Sequence, residues 1–179
     1  TEISAGLASI FNATTPIFAA VLAGIFLTDE QLTARKLVGL LLALCGVAVL
    51  VGASALRGLG DALLPQLAVL GAALSYGVAL VFSRRFARWG VAPSAVALGQ
   101  LTASSLIMAP LALAVDGIPH ALPSVIVMAN LLALAIFATA GAYILYFSIV
   151  RRAGATNAAL VTVLVPLFAT GLGVAVLGE

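Results

Sequence analysis

Apolar residues along this chain come in six long stretches, and all of the charged residues lie between the stretches or at the two chain ends. A helix of about twenty apolar residues is long enough to cross the roughly 30 Å hydrocarbon core of a bilayer. None of the stretches alternates as a membrane β-strand would, and in lipid a helix satisfies its own backbone groups. The pattern predicts an all-α integral membrane protein with six transmembrane helices. They cover residues 4–27, 37–54, 62–83, 92–115, 122–150 and 155–178.

Composition supports this class of protein. Hydrophobic residues make up 64% of the chain, charged residues make up 8%, and the mean hydropathy is +1.27. A soluble domain is about one quarter charged, so this chain could not cover a soluble surface with polar groups. The lone Cys45 lies in an apolar stretch and is expected to be a small packing residue. The lipid bilayer is therefore an expected partner, and nucleic acid is not.

The basic residues predict the orientation of the helices. Six crossings place the linkers on alternating sides, and seven of the eight Lys and Arg residues then share one side. They are Arg35, Lys36, Arg84, Arg85, Arg88, Arg151 and Arg152, whereas only Arg57 lies on the other side. The positive-inside rule makes residues 28–36, 84–91 and 151–154 cytoplasmic, in a multi-pass cell-membrane protein that we expect in a bacterial inner membrane.

The first and last stretches resemble each other. Aligning Pro16 with Pro166 also matches a Phe, an Ala and a Leu, and each stretch is followed by a glutamate, Glu30 or Glu179. The linker charges give the two stretches opposite orientations, which is typical of the inverted repeats in transporters. The chain starts at Thr1 rather than methionine and stops directly after an apolar stretch, so we expect it to be a fragment of a longer protein.

The two central prolines are candidates for a functional site. A proline inside a helix releases the carbonyl four residues earlier, which here belongs to Asn12 or Thr162. A released carbonyl is tolerated where it faces a wet cavity or bonds to a neighbouring helix, and both interpretations are open. Gln100 is likewise placed either to bind a ligand or to form an interhelical hydrogen bond.

We expect a substrate cavity lined by Asn12, Thr15, Pro16, Tyr76, Gln100, Tyr143, Thr162 and Pro166. Tyr146 is interpreted as an interfacial anchor near Arg151. Glu30 belongs to a charged turn that is expected to be solvated, and it could accept hydrogen bonds from the N-terminus of the following helix. The sequence predicts no metal site, cofactor or catalytic pair, and so no enzyme. The lone His120 is expected to be a solvated loop residue.

Two segments resemble the EamA family of the drug/metabolite transporter superfamily. The first is PIFAAVLAGIFLTDEQLTARKLVGLLLALCGVAVLVG, with Pro16 followed by a Glu-x-Leu-Thr turn and a glycine-containing helix. The second is GAYILYFSIVRRAGATNAALVTVLVPLFATGLGVAVLGE, which has the family's Ala-Tyr, Arg-x-Gly-Ala and Pro-x-Phe motifs followed by Gly-Glu. Together with the intervening residues, the resemblance covers essentially the whole chain.

The resemblance implies a ten-helix fold made of two inverted five-helix repeats. On that plan, residues 1–54 are the last two helices of the first repeat, residues 55–61 are an external linker, and residues 62–179 are the first four helices of the second repeat. It also implies a path between the repeats, lined by the first, third, fifth and sixth spans, for amino acids, nucleobases or drug-like metabolites.

The sequence therefore favours a transporter. The resemblance implies an exporter, because members of the family frequently move solutes outward, and we expect it to work by alternating access. The alternative is a membrane scaffold or assembly subunit that transports nothing. Asn12, Gln100 and the two central prolines favour the transporter, because a scaffold needs tight helix packing but no polar groups around a cavity.

Overall fold

The computed structural model describes residues 4–52, 56, 59–117, 123–172 and 175. Within this part of the chain, the regular structure is helical throughout. The helices are α1 (Ala5–Asn12), α2 (Thr15–Phe26), α3 (Ala34–Val51), α4 (Leu63–Arg88), α5 (Pro93–Asp116), α6 (Val125–Ala133), a π-helical stretch (Leu134–Gly141), α7 (Ala142–Ala153), α8 (Ala155–Ala159) and α9 (Val161–Leu172).

Five of the predicted spans form helices that are long and apolar enough to cross a membrane. They are Gly6–Phe26, Ala34–Val51, Leu63–Arg88, Pro93–Asp116 and Val125–Ala153. The sixth predicted span contains the shorter apolar segment Ala155–Phe168. The prediction of an all-helical membrane protein is thus confirmed for the described residues. Arg57, His120 and Glu179 lie outside them.

The first span is broken near its middle, because α1 ends at Asn12 and α2 begins at Thr15. Pro16 occupies the first turn of α2, where its missing N–H costs little. The Asn12 carbonyl, which Pro16 cannot bind, instead accepts a hydrogen bond from the Thr15 hydroxyl at 2.7 Å. The carbonyl predicted to be released is therefore satisfied within the break itself, by the kind of side chain that competes with helical bonds.

The last span is broken at Leu160, whereas Pro166 lies inside the continuous helix α9. The Thr162 hydroxyl donates to the Ala159 carbonyl at 2.8 Å, and the backbone N–H of Val163 then turns to Leu160 at 3.1 Å. The break therefore arises from a threonine that competes for a helical carbonyl, and it lies upstream of the predicted proline position.

Polar contacts join three linkers at one end of the bundle, which we call the basic end and define as residues 28–36, 84–91 and 151–154. Arg84 binds both Asp29 and the Arg151 carbonyl there. The buried core next to this end consists mostly of small side chains. Its members are Ala19, Ala23, Leu27, Leu80, Val81, Ala97, Phe147, Val150, Ala155, Ala158 and Ala159.

Close backbone approach explains that composition, because small residues let neighbouring helices approach each other in lipid. At Gly77 of α4, a Cβ atom would lie 3.1 Å from the Ala19 nitrogen and 3.1 Å from the Phe18 Cβ atom of α2. Away from this core, large apolar side chains face outward on every long span, for example Val49, Leu64 and Val125. Cys45 is also exposed, so the prediction of a packing role for it was wrong.

Candidate functional site: a polar cavity beside the basic end

A cavity of about 350 Å³ lies between the break in the first span and helices α4, α5, α7 and α9. Its size falls within the range of small-molecule sites. One wall comes from the π-helical stretch and the start of α7, and π-helical segments are frequent at functional sites. The described lining residues are Asn12, Thr15, Tyr76, Ala79, Leu80, Ser83, Gln100, Ala138, Ala142, Tyr143, Tyr146, Phe147, Val161 and Thr162.

Six of the eight residues expected from the sequence come together in this lining. They are Asn12, Thr15, Tyr76, Gln100, Tyr143 and Thr162. Thr15 forms part of the wall from a fully buried position, with its hydroxyl engaged by Asn12. Pro16 and Pro166 are not among the lining residues. Pro16 is fully buried in the first turn of α2, directly after the lining residue Thr15.

Three polar or aromatic lining residues were not among the candidates: Ser83, Tyr146 and Phe147. Ser83 lies two helical turns after Tyr76, and Phe147 lies one turn after Tyr143, so helical spacing from the two candidates was the available signal. Tyr146 packs against Phe147 with ring centroids 5.9 Å apart, and it faces the cavity rather than serving only as an interfacial anchor.

The side-chain amides of Asn12 and Gln100 have no hydrogen-bond partner within the described part of the chain. The hydroxyls of Ser83 and Thr162, in contrast, donate to helix carbonyls. The interhelical bond considered for Gln100 is thus not formed among these residues. Asn12 is half-buried and Gln100 is exposed, so both amides are free to bind a polar ligand that enters the cavity.

The described lining contains no Asp, Glu, Lys, Arg or His. Its largest side chains are the aromatic residues Tyr76, Tyr143, Tyr146 and Phe147. The ring centroids of Tyr143 and Phe147 lie 5.9 Å apart. Such walls bind a ligand by ring contacts and by neutral hydrogen bonds. The described side chains offer no countercharge to an ionised ligand.

The family model for EamA-like transporters matches the chain over residues 1–52 and 63–179. The chain belongs to the EamA-like transporter family. This places it in the drug/metabolite transporter superfamily and confirms the resemblance seen in the sequence. No curated protein and no solved structure matches it.

In this EamA-family chain, the cavity ends next to a group of charged residues at the basic end. Ser83 and Phe147 line the cavity, and Arg84 and Val150 lie immediately beyond them along α4 and α7. Asp29 contacts both Arg84 and Arg88. Partial desolvation raises the pKa of Asp29, but hydrogen bonds from Arg88 and Arg84 outweigh it and lower that pKa below its ordinary value.

Glu30 was expected to be solvated and to accept hydrogen bonds from the helix that follows it, and both expectations were wrong. The following helix, α3, is capped by Thr33, whose hydroxyl accepts from the Lys36 N–H at 3.3 Å. The Glu30 carboxylate instead accepts from the N–H groups of Ala155 and Thr156, at 2.6 and 3.0 Å. Glu30 is only 8% exposed, so it is a buried link between the first and last spans and not a solvated surface charge.

Proposed function

We propose that this chain is part of a secondary transporter that moves small organic metabolites or drugs. The cavity would open to one side of the membrane and then to the other, by alternating access. One observation carries the proposal: polar residues from spans far apart in sequence line the same open cavity in an otherwise apolar bundle. A scaffold has no use for two amides that line a cavity without binding each other or a neighbouring helix, whereas a transporter can use both to bind a solute.

Within the metabolite classes considered, the lining favours an uncharged solute that carries a planar ring and hydrogen-bonding groups, such as a nucleobase. The ring walls match a planar face, and Asn12 and Gln100 offer both donors and acceptors. Free amino acids and organic anions fit this lining less well, because their ionised groups would find no opposite charge among the described side chains.

The ten-helix plan remains part of the proposal. Residues 1–54 would close the first repeat, residues 55–61 would be the external linker, and residues 62–179 would open the second repeat. The first and last spans support the inverted relation, since each carries a central proline and each is interrupted once, the first between Asn12 and Thr15 and the last at Leu160, near its start. The basic end would face the cytoplasm, and export would be the working direction.

Reconstituted transport tests this function. We expect full-length protein in proteoliposomes to take up labelled nucleobases faster than labelled amino acids or organic anions. Asn12→Leu and Thr162→Val should each lower this uptake, and Asn12→Leu should lower it more because it removes an unpaired amide from the cavity.

Thr102→Val is the matched control, because Thr102 is exposed on α5 and is not among the lining residues. Unchanged uptake in both cavity variants would overturn the lining assignment. If no solute is taken up by correctly folded protein, the scaffold alternative is favoured.

A further inference from the structure

The Glu30 carboxylate binds in a site formed by residues that are distant in sequence, Gly154, Ala155 and Thr156, and we call this site the Glu30 seat. The two carboxylate oxygens bind consecutive backbone N–H groups at the start of α8, and the Glu30 side chain is almost wholly buried. Gly154 precedes α8 with a φ of +92°, a conformation that favours glycine. A Cβ atom at Gly154 would lie 2.6 Å from Glu30 Oε1, so the glycine is needed both for the turn and for the seat.

Arg84 of α4 connects the Glu30 seat to Asp29 and to the end of α7. Its Nη1 donates to the carbonyls of Val150 and Arg151 at the end of α7, at 2.9 and 2.7 Å. Its Nη2 donates to Asp29 at 3.0 Å, and its buried Nε lies 3.5 Å from Glu30 Oε1. One guanidinium thus joins α4, the end of the first span and the C-terminal carbonyls of α7.

These contacts lie directly beyond the cavity. Ser83, which precedes Arg84, lines the cavity, as does Phe147, which lies one turn before Val150. Phe147, Val150 and Ala155 belong to the same buried core. The contacts of Glu30 and Arg84 therefore lie next to the cavity on the side of the basic end.

We infer that Glu30, Arg84 and Gly154 form a latch that keeps the cavity shut at the basic end, and that Glu30 must leave its seat before the cavity opens there. This inference rests on the proposed transport function. Such a latch would separate two states, one closed and one open at the basic end. Hydrogen bonds to charged groups are stronger than neutral ones, and they are made only in the closed state because they are lost when the helices separate. The structure is then the state that is closed toward the basic end.

The test measures access to the cavity and needs no substrate. Full-length protein in which Cys45 and every cysteine outside these 179 residues are replaced by serine, and which carries the single reporter Ser83→Cys, is placed in inside-out and right-side-out vesicles. A membrane-impermeant maleimide is then applied to each. With the latch intact, labelling from the basic end should be slow. Glu30→Gln and Arg84→Gln should each speed it by about tenfold or more, as expected when a hydrogen bond to a charged group is lost.

Arg85→Gln is the matched control, because Arg85 is the exposed neighbour of Arg84 and forms no ion pair among the described residues. It should leave the labelling rate unchanged. Size-exclusion profiles establish that each variant is folded, and Arg84→Gln decides the matter if Glu30→Gln does not fold.

Equal labelling rates in Glu30→Gln, Arg84→Gln and Arg85→Gln would overturn the latch. Faster labelling in Glu30→Gln and Arg84→Gln without any solute uptake would support the latch and contradict the proposed transport function. Solute uptake with unchanged labelling rates would support the transport function and contradict the latch.

Discussion

The two ends of this helix bundle are held together by different kinds of interaction. At the basic end, small side chains allow close packing, and charged groups link the first span, α4, α7 and α8. Toward the other end, the described packing between α1, α3 and α9 is a smaller apolar cluster of Ile10, Ala13 and Val47. No described residue of α6 is buried.

The difference matters because lipid is as apolar as leucine, so apolar contact alone gives helices little preference for one another over lipid. Charge-assisted hydrogen bonds do distinguish a closed end from an open one, since breaking them leaves charged groups to be solvated again. The comparison therefore suggests that the polar contacts, more than the apolar area, decide which end of the bundle is closed. Three substitutions test this idea, in order of expected effect.

The largest effect is expected from Gly154→Ala. The new side chain must take a positive φ, which costs roughly 1–2 kcal/mol, and it must displace the Glu30 carboxylate, which adds about 1–3 kcal/mol for the lost hydrogen bonds. Thermal unfolding in detergent should therefore show a large drop in Tm.

Gly90→Ala is the control for this variant. Gly90 also lies at the basic end with a positive φ, +75°, but nothing is within 4 Å of its would-be Cβ atom. It should show only the backbone strain. Equal drops in Tm for the two variants would mean that the seat of Glu30 adds nothing to stability.

An intermediate effect is expected from Gly77→Ala in α4. The methyl group would press on the backbone of α2, and overpacking of this kind costs about 1–3 kcal/mol. Gly71→Ala lies in the same helix with open space around it, and there alanine should stabilise the helix by up to about 1 kcal/mol. Opposite signs of the Tm change are the expected result, and a destabilised Gly71→Ala variant would contradict it.

The smallest effect is expected from Asp29→Asn, because this side chain is 40% exposed and such pairs contribute at most about 1 kcal/mol. The pKa of Asp29 is lowered in the folded state, so its contribution is present above the unfolded pKa of about 4 and is lost as the pH falls through the folded pKa.

The Tm difference between Asp29→Asn and the parent should therefore stay constant from about pH 7 to pH 5 and shrink below about pH 4. It should also shrink with added salt. A difference that grows on acidification would show that the sign of the shift is wrong.

Much of the architecture was readable from local patterns. The apolar length of each span predicted the five long helices, and Pro16 predicted that the Asn12 carbonyl would leave its helical bond. The break at Leu160 was missed because it depends on whether the Thr162 hydroxyl or a backbone N–H binds the Ala159 carbonyl. Both choices are compatible with the same residues.

The cavity shows the same division. The candidate polar residues were found because polar groups are rare inside apolar spans. Helical spacing from Tyr76 and Tyr143 could point to Ser83 and Phe147, but only once the rotation of α4 and α7 toward the cavity is known. Rotation depends on which helices pack together, and that follows from contacts between distant parts of the chain, such as the one between Gly77 and α2.

Glu30 shows which properties the local sequence decides and which only the tertiary structure decides. The sequence by itself determined that this protein is a bundle of apolar helices with an acidic residue at the end of the first span. Only the tertiary structure decided that Glu30 would bind α8 and not α3, because its partner N–H groups lie 125 and 126 residues away. A backbone N–H group carries no side-chain identity, so no sequence pattern marks it as the partner of a distant carboxylate.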